Sequence, residues 1–360
     1  MNRLTGYLRQ NPFLVLLLAL PLAILARLGN WGEVWVFAFA ALSVVPLAEY
    51  IGEGTEALTQ HTNPRIGALL NATLGNAAEL IITFVAIRQG LLELVKASIT
   101  GSILGNLLFV MGLSMVLGGA RNGVQSFDNR QAVRNAVLLI LAVLALLIPS
   151  MLSHYIGPDT SPKVEMFSLG VAAVMILLYA LALLYSLKFD GTPLAHRPSK
   201  VAEYQLPWSV RKALLILALA TLGIVIASEL LVKAVEPVVL QLGVSEFFLG
   251  IVLIPIVGNV AEHLVAVEVA MRNQMDLSVE IAVASSLQIA LFVAPVLVFA
   301  SLLLGNPLQL IFNQFELLAL IAGVIITALV SADGESNWLE GAELLAVYLI
   351  LGLAFFLLPV

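Results

Sequence analysis

Cysteine is absent from the 360 residues, which excludes disulfides, thiolate metal sites and thiol chemistry. Histidine is scarce, at four, so a soft-metal site rich in imidazole is excluded as well. Charge is scarce too. Lys and Arg number 17 and Asp and Glu 23, together 11% of the chain, against roughly 25% in a soluble domain. The net charge is −6 and no basic run exists, which excludes nucleic acid as a partner. HExxH and GxGD are missing, and no Ser–His pair has a recognisable spacing, so an intramembrane enzyme lacks its chemistry. No feature calls for a cofactor or predicts an oligomer.

What is there is apolar. Hydrophobic residues make up 61% of the chain and the mean hydropathy is +1.03. A soluble globule of this size cannot hide so much apolar surface; the lipid bilayer is the expected partner. About 20 apolar residues cross a bilayer as a helix. Eleven apolar stretches stand between polar breaks, at 12–28, 33–58, 64–88, 91–118, 131–152, 164–188, 211–236, 245–271, 277–304, 311–330 and 340–358. The breaks carry turn chemistry, as at Asn63-Pro64, Gly118-Gly119, Gly157-Pro158, Asp190-Gly191 and Asp333-Gly334. The runs are too long and too uniformly apolar for barrel strands. The first has no small-residue cleavage site and reads as a retained helix. The expected fold is an all-α polytopic membrane protein of eleven transmembrane helices.

Lys and Arg set the expected orientation. Twelve lie on the side shared with the N-terminus, among them Arg65, Arg121, Arg134, Lys212 and Arg272; five, Arg27, Arg88, Lys96, Lys163 and Lys233, lie on the other. Positive charge favours the cytoplasm, so the N-terminus is expected inside and the C-terminus outside. The lack of a long N-terminal extension suggests a prokaryotic plasma membrane.

The chain repeats itself. Gly75-Asn76-Ala77-Ala78-Glu79 returns 183 positions later as Gly258-Asn259-Val260-Ala261-Glu262. Gly67 matches Gly250 and Ser102 matches Ser285 at the same offset, while Glu49 and Glu56 match Glu229 and Glu236 at an offset of 180. The expected plan is one extra helix in 1–30, a five-helix repeat in 31–188, a Pro-bearing cytoplasmic linker in 189–210 and a second five-helix repeat in 211–360. An odd number of spans per repeat inverts the second, a device of secondary transporters.

Glu79 and Glu262 then fall deep in hydrocarbon, about 20–26 Å along their helices. An ionised carboxylate there costs about 2.5–3.5 kcal/mol, and two that face each other also repel. The pair is tolerable when protonated or when a cation bridges it. That choice is an exchange mechanism, because protons and a metal compete for the same oxygens. Ca²⁺ suits an oxygen site, since it accepts about six to eight oxygen ligands in flexible geometry. Gly75, Gly258 and Pro255 loosen the helices and free carbonyls. Asn76 and Asn259 add amide oxygens. Ser98, Thr100, Ser102 and Asn106, then Ser285, Ser286 and Gln288, are either ligands or helix-packing positions. Glu49, Glu56, Glu229 and Glu236 either guide ions or are solvated ends. Glu53 aligns with Lys233 as a charge partner. His263 points about 100° from Glu262, which favours a supporting hydrogen bond or proton relay over direct ligation. Glu316 and Arg88 read as interfacial anchors.

The motifs around Glu79, the run Ser98-Ile99-Thr100-Gly101-Ser102-Ile103-Leu104-Gly105-Asn106, the motif ending in Glu262-His263, and Ser285-Ser286-Leu287-Gln288 resemble the Ca²⁺/H⁺ exchanger (CAX) family of the cation/Ca²⁺ exchanger superfamily. The resemblance runs from about Glu49 to Asn306. It implies the eleven-helix plan with inverted repeats and alternate binding of Ca²⁺ and H⁺ at Glu79 and Glu262. It also implies that Asn106, Ser102, Ser285 and Gln288 surround the site, that the first helices of each repeat line the ion path, and that spans one and six slide against the core. An acidic stretch common between spans six and seven is missing, since only Asp190 and Glu203 stand there. The expected function is a secondary transporter, not an enzyme, that exchanges Ca²⁺ for H⁺ by alternating access. Exchange of another cation, as Na⁺/Ca²⁺, Na⁺/H⁺, K⁺/H⁺ or Mn²⁺/H⁺, is the alternative.

Overall fold

The computed structural model describes residues 13–159, 161–188 and 208–358. Most of the expected linker, 189–207, and the start of the first span lie outside the described residues. After a single turn at Phe13–Leu16, the helices are α1 (Ala19–Leu28), α2 (Glu33–Gln60), α3 (Pro64–Leu74), α4 (Ala77–Arg88) and α5 (Leu92–Asn122). Then follow α6 (Asn129–Ile156), α7 (Pro162–Lys188), α8 (Val210–Leu242), α9 (Glu246–Gly258) and α10 (Val260–Met271). The last are α11 (Met275–Leu304), α12 (Gln314–Val330) and α13 (Trp338–Leu357). Two short strands, β1 (Gln125–Ser126) and β2 (Glu335–Ser336), pair antiparallel.

Seven of these helices are long and apolar enough to cross a bilayer, and eight if α9 and α10, bent by 62°, form one span. The bent pair and the α3–α4 pair each occupy one expected apolar stretch, broken in the middle. The outward faces are apolar. On α7, Val174, Leu177 and Leu181 are all more than half exposed, and only lipid tolerates such a stripe on every side of a bundle.

Local chemistry fixes the ends. Asn63 accepts the Ile66 amide at 2.9 Å and Pro64 starts α3, the preferred chemistry for a first turn. Asn313 with Glu316 and Asn337 with Glu340 form capping boxes that start α12 and α13. Gly305 ends α11 with φ +78°, a conformation that costs glycine nothing.

Small residues let the helices approach. α2 and α8 pack along each other: a Cβ on Gly54 would stand 2.8 Å from Leu217, and one on Gly223 2.8 Å from Leu47. Close backbones supply the packing that burial alone cannot supply in lipid. α1 lies against this pair, while α7 packs on α6 and α11, with Tyr179 stacked on Phe292 at 5.2 Å. Spans two and seven pack together as a unit, each setting a glycine against a leucine of the other, and span six packs on spans five and nine.

Candidate functional site

The two GNxAE motifs are where helices break. Asn76 (φ −98°, ψ 22°) separates α3 from α4, and Asn259 (φ −109°, ψ 8°) separates α9 from α10. Glu79 and Glu262 thus fall in the first turn of a new half-helix, whose positive end offsets part of the cost of a buried negative charge. Behind the site, α5 and α11 each widen into a π turn, at Gly105–Val110 and Ile289–Val293. A third π turn, Leu249–Leu253, precedes Pro255 in α9. Proline has no N–H to return to the carbonyl four residues back. That carbonyl is Ile251's, and it lies directly against Gly101 of α5.

The breaks face each other reciprocally. The Glu79 side chain lies against Gly258: a Cβ there would stand 3.2 Å from Glu79 Cγ. Glu262 lies against Gly75, its Oε1 3.7 Å from the equivalent position. Ser102 and Asn259 both donate to Glu79 Oε1, the amide at 2.5 Å. Ser285 donates to Glu262 Oε2 at 2.6 Å. Asn76 donates to Gln288 Oε1 at 2.7 Å rather than to Glu262. The donors nearest the carboxylates are thus engaged, and Glu79 Oε2 and Asn76 Oδ1 are left buried without a hydrogen-bond partner. An unsatisfied buried acceptor is costly, and a site with spare acceptor oxygens suits a cation. Among the described residues no three His, Cys, Asp or Glu side chains come together. A divalent ion would therefore complete its shell with amide, hydroxyl, main-chain or water oxygens, which Ca²⁺ accepts.

The remaining candidates divide. Asn106 is buried within the π turn of α5 with its Nδ2 unpartnered. His263 makes no hydrogen bond to Glu262; its ring meets Phe109 edge-on at 6.2 Å and its Nε2 has no partner. Thr100 turns away from the chamber and donates to Glu316 at 3.3 Å. Ser286 bonds its own helix at Ala282. Glu49, Glu53 and Glu56 are half-buried along α2 without a salt bridge among the described residues. Glu229 bonds Arg88 of α4 and Lys233, the latter at 3.1 Å. Lys233 is therefore the partner of Glu229 and not of Glu53, since four residues apart on one helix are neighbours.

Of the two residues read as anchors, one is elsewhere and one has a partner. Glu316 is buried, not interfacial; the Asn-x-x-Glu spacing from Asn313, a capping signal, was the clue. Arg88 reaches 141 positions along the chain to Glu229, and nothing local announces that.

The two ends of the chamber differ. On one, α9 closes onto α5: Leu249 is buried, and a Cβ on Gly250 would meet Ala97 at 2.7 Å. On the other, α3 packs chiefly on α2, Gly75 is exposed and Glu262 is only half-buried.

This is the architecture of an ion antiporter: broken helices meeting in a membrane bundle around paired acids. The chain belongs to the sodium/calcium exchanger protein family, whose profile matches residues 32–188 and 212–357; its members are antiporters and not enzymes, and the chain is an integral membrane protein. It is 44% identical over 362 residues to a Ca(2+)/H(+) antiporter of Aphanothece halophytica, covering 97% of each chain. It is 42% identical to the Ca(2+)/H(+) antiporter ChaA of Bacillus subtilis, covering 96% of this chain and 99% of that one. The solved structure of native YfkE superposes with a TM-score of 0.83 at 41% identity, covering 96% of this chain and all of that one. The crystal structure of the H+/Ca2+ exchanger CAX shares the fold, with a TM-score of 0.75 at 16% identity over 97% of this chain and 92% of that one.

Proposed function

We propose that the protein exchanges Ca²⁺ for H⁺ across a prokaryotic plasma membrane by alternating access, with Glu79 and Glu262 as the shared site. The observation that carries this is the reciprocal contact of the two motifs, with Glu79 Oε2 and Asn76 Oδ1 buried and free of donors. Ca²⁺ is the transported substrate. Its oxygen ligands come from Glu79, Glu262, Asn76, Asn259, Asn106 and Gln288, while Ser102 and Ser285 hold the carboxylates in place. Two protons on the same carboxylates replace its charge. The names of the 44% and 42% identical relatives support the choice of ions.

The matching motifs support a plan of one extra helix and two inverted five-helix repeats, eleven spans in all, with α3–α4 and α9–α10 each counted once. The Lys and Arg balance supports a cytoplasmic N-terminus, a cytoplasmic 189–210 linker and an outer C-terminus. The open end beside α3 then faces the cytoplasm. Glu49 and Glu56 line that approach, and Glu229 and Glu236 the outer one. His263 supports the proton step through the wall of α10 rather than as a ligand.

In proteoliposomes of purified protein, an imposed pH gradient is expected to drive ⁴⁵Ca²⁺ uptake, and Glu79→Gln and Glu262→Gln are each expected to abolish it. Uptake that survives in both variants removes the assignment.

A further inference from the structure

The two mouths carry matching acids in different company. Glu229 on α8 is held by Arg88, the last residue of α4, and by Lys233. Its counterpart on α2, 180 positions earlier, is Glu49, and Lys233 corresponds to Glu53. The position matching Arg88, 183 residues later, is Met271, and the neighbouring Arg272 bonds Glu268 of its own helix. Among the described residues, then, one mouth has an ion pair that ties the α2–α8 pair to the broken helix bearing Glu79, and the other has none. The tied mouth is also the packed one. Leu249 there is 1% exposed, whereas Ile66, its match on α3, is 47% exposed.

We propose that Arg88 is a positioning residue of the exchange cycle. Through Glu229 it latches α8 to the end of α4, holds the α9 mouth shut, and releases when that mouth opens. The proposal builds on the exchange reading but does not need the ion to be Ca²⁺. The bond links two rigid pieces, so it acts on the balance between conformations and leaves the chamber untouched. Lys233 shares a helix with Glu229 and cannot latch anything. It holds the carboxylate ready for Arg88.

The natural absence of cysteine gives a clean background for the test. Leu249→Cys reports opening of the α9 mouth to a membrane-impermeant maleimide, and Ile66→Cys reports the α3 mouth from the other side. Exposed ion pairs are worth roughly 0.2–1 kcal/mol. Arg88→Gln and Glu229→Gln are therefore each expected to speed labelling at Leu249→Cys by about 1.5- to fivefold. Labelling at Ile66→Cys is expected to slow in the same variants. The double variant adds nothing, and Arg88→Lys or the exchange Arg88→Glu with Glu229→Arg restores the original rates. In flux assays, the apparent KM for ion loaded at the α3 mouth rises by a similar factor.

A purely structural bond would lower the melting temperature and leave labelling of the folded protein unchanged; that result overturns the proposal. So does faster labelling at both mouths together, which reports loosening. If labelling shifts reciprocally but no Ca²⁺ flux is found in the unmodified protein, the latch stands and the Ca²⁺ reading fails.

Discussion

Asn259 donates its amide to Glu79 across the two broken helices, Nδ2 to Oε1 at 2.5 Å. A hydrogen bond to a charged group contributes about 1.5–3 kcal/mol. Asn259→Ala also removes an amide oxygen from the chamber. The variant is expected to raise the KM for Ca²⁺ by about ten- to hundredfold, read from ⁴⁵Ca²⁺ uptake against concentration. An unchanged KM would place the Ca²⁺ elsewhere.

Gly258 leaves just enough room for the other motif's carboxylate. A methyl group there would press on Glu79 Cγ at 3.2 Å, a contact the side chain relieves by moving its oxygens. Small misplacements at a reacting centre cost up to about a hundredfold. Gly258→Ala is expected to keep its fold and melting temperature while uptake at low Ca²⁺ falls by about tenfold or more. Unaltered uptake would mean that Glu79 tolerates displacement and does not ligate.

Gly101 behaves differently, because a Cβ there overlaps the backbone carbonyl of Ile251. Backbone cannot step aside as a side chain can. Overpacking costs typically about 1–3 kcal/mol, all of it in the state with α9 closed on α5. Gly101→Ala is expected to lower thermal stability and to leave the α9 mouth ajar, seen as faster labelling at Leu249→Cys.

Protons and Ca²⁺ share the same carboxylates in the proposed cycle, and the sign of the pH effect follows. Acid on the side from which Ca²⁺ loads fills the oxygens with protons, so the KM for Ca²⁺ rises as that pH falls while the maximal rate is preserved. Acid on the opposite side speeds uptake. Initial rates at a matrix of internal and external pH check both signs. Inhibition by acid on the loading side that lowers the maximal rate alone would contradict competition.

Glu316 is buried, and besides accepting the Thr100 hydroxyl it serves α12: its Oε2 accepts the Asn313 backbone amide at 2.8 Å, completing the capping box. Loss of a cap costs about 1 kcal/mol. Glu316→Ala is expected to lower the melting temperature by about 2–4 °C without changing the KM for Ca²⁺. A KM change would bring Glu316 into the ion path.

Much of this molecule was legible in its sequence for one reason: lipid leaves few ways to hide a polar group. Glu79 and Glu262 stood out because nothing else nearby was charged, and the repeated Gly-Asn pair marked the breaks that free their surroundings. Ser102 and Ser285 were legible as pairs at a common offset, and both hold a carboxylate. What was not legible depended on contacts between distant segments. Asn76 turns to Gln288 and not to Glu262, which repetition alone argues against. The bond from Arg88 to Glu229 and the seam between α2 and α8 have no local signature. Glu316 differs for another reason: its place near a helix end suggests a wet surface, although the capping spacing is present.

The π turn in α5 contains Asn106, and the one in α11 begins immediately after Gln288. Each turn carries one residue more than a regular helix needs, so side chains before and after it are out of step by about 100°. These walls therefore behave as two rods joined by a splice, each aimed by its own surroundings. A one-residue deletion inside either splice would restore an unbroken rod, and would swing everything beyond it away from the face it now presents.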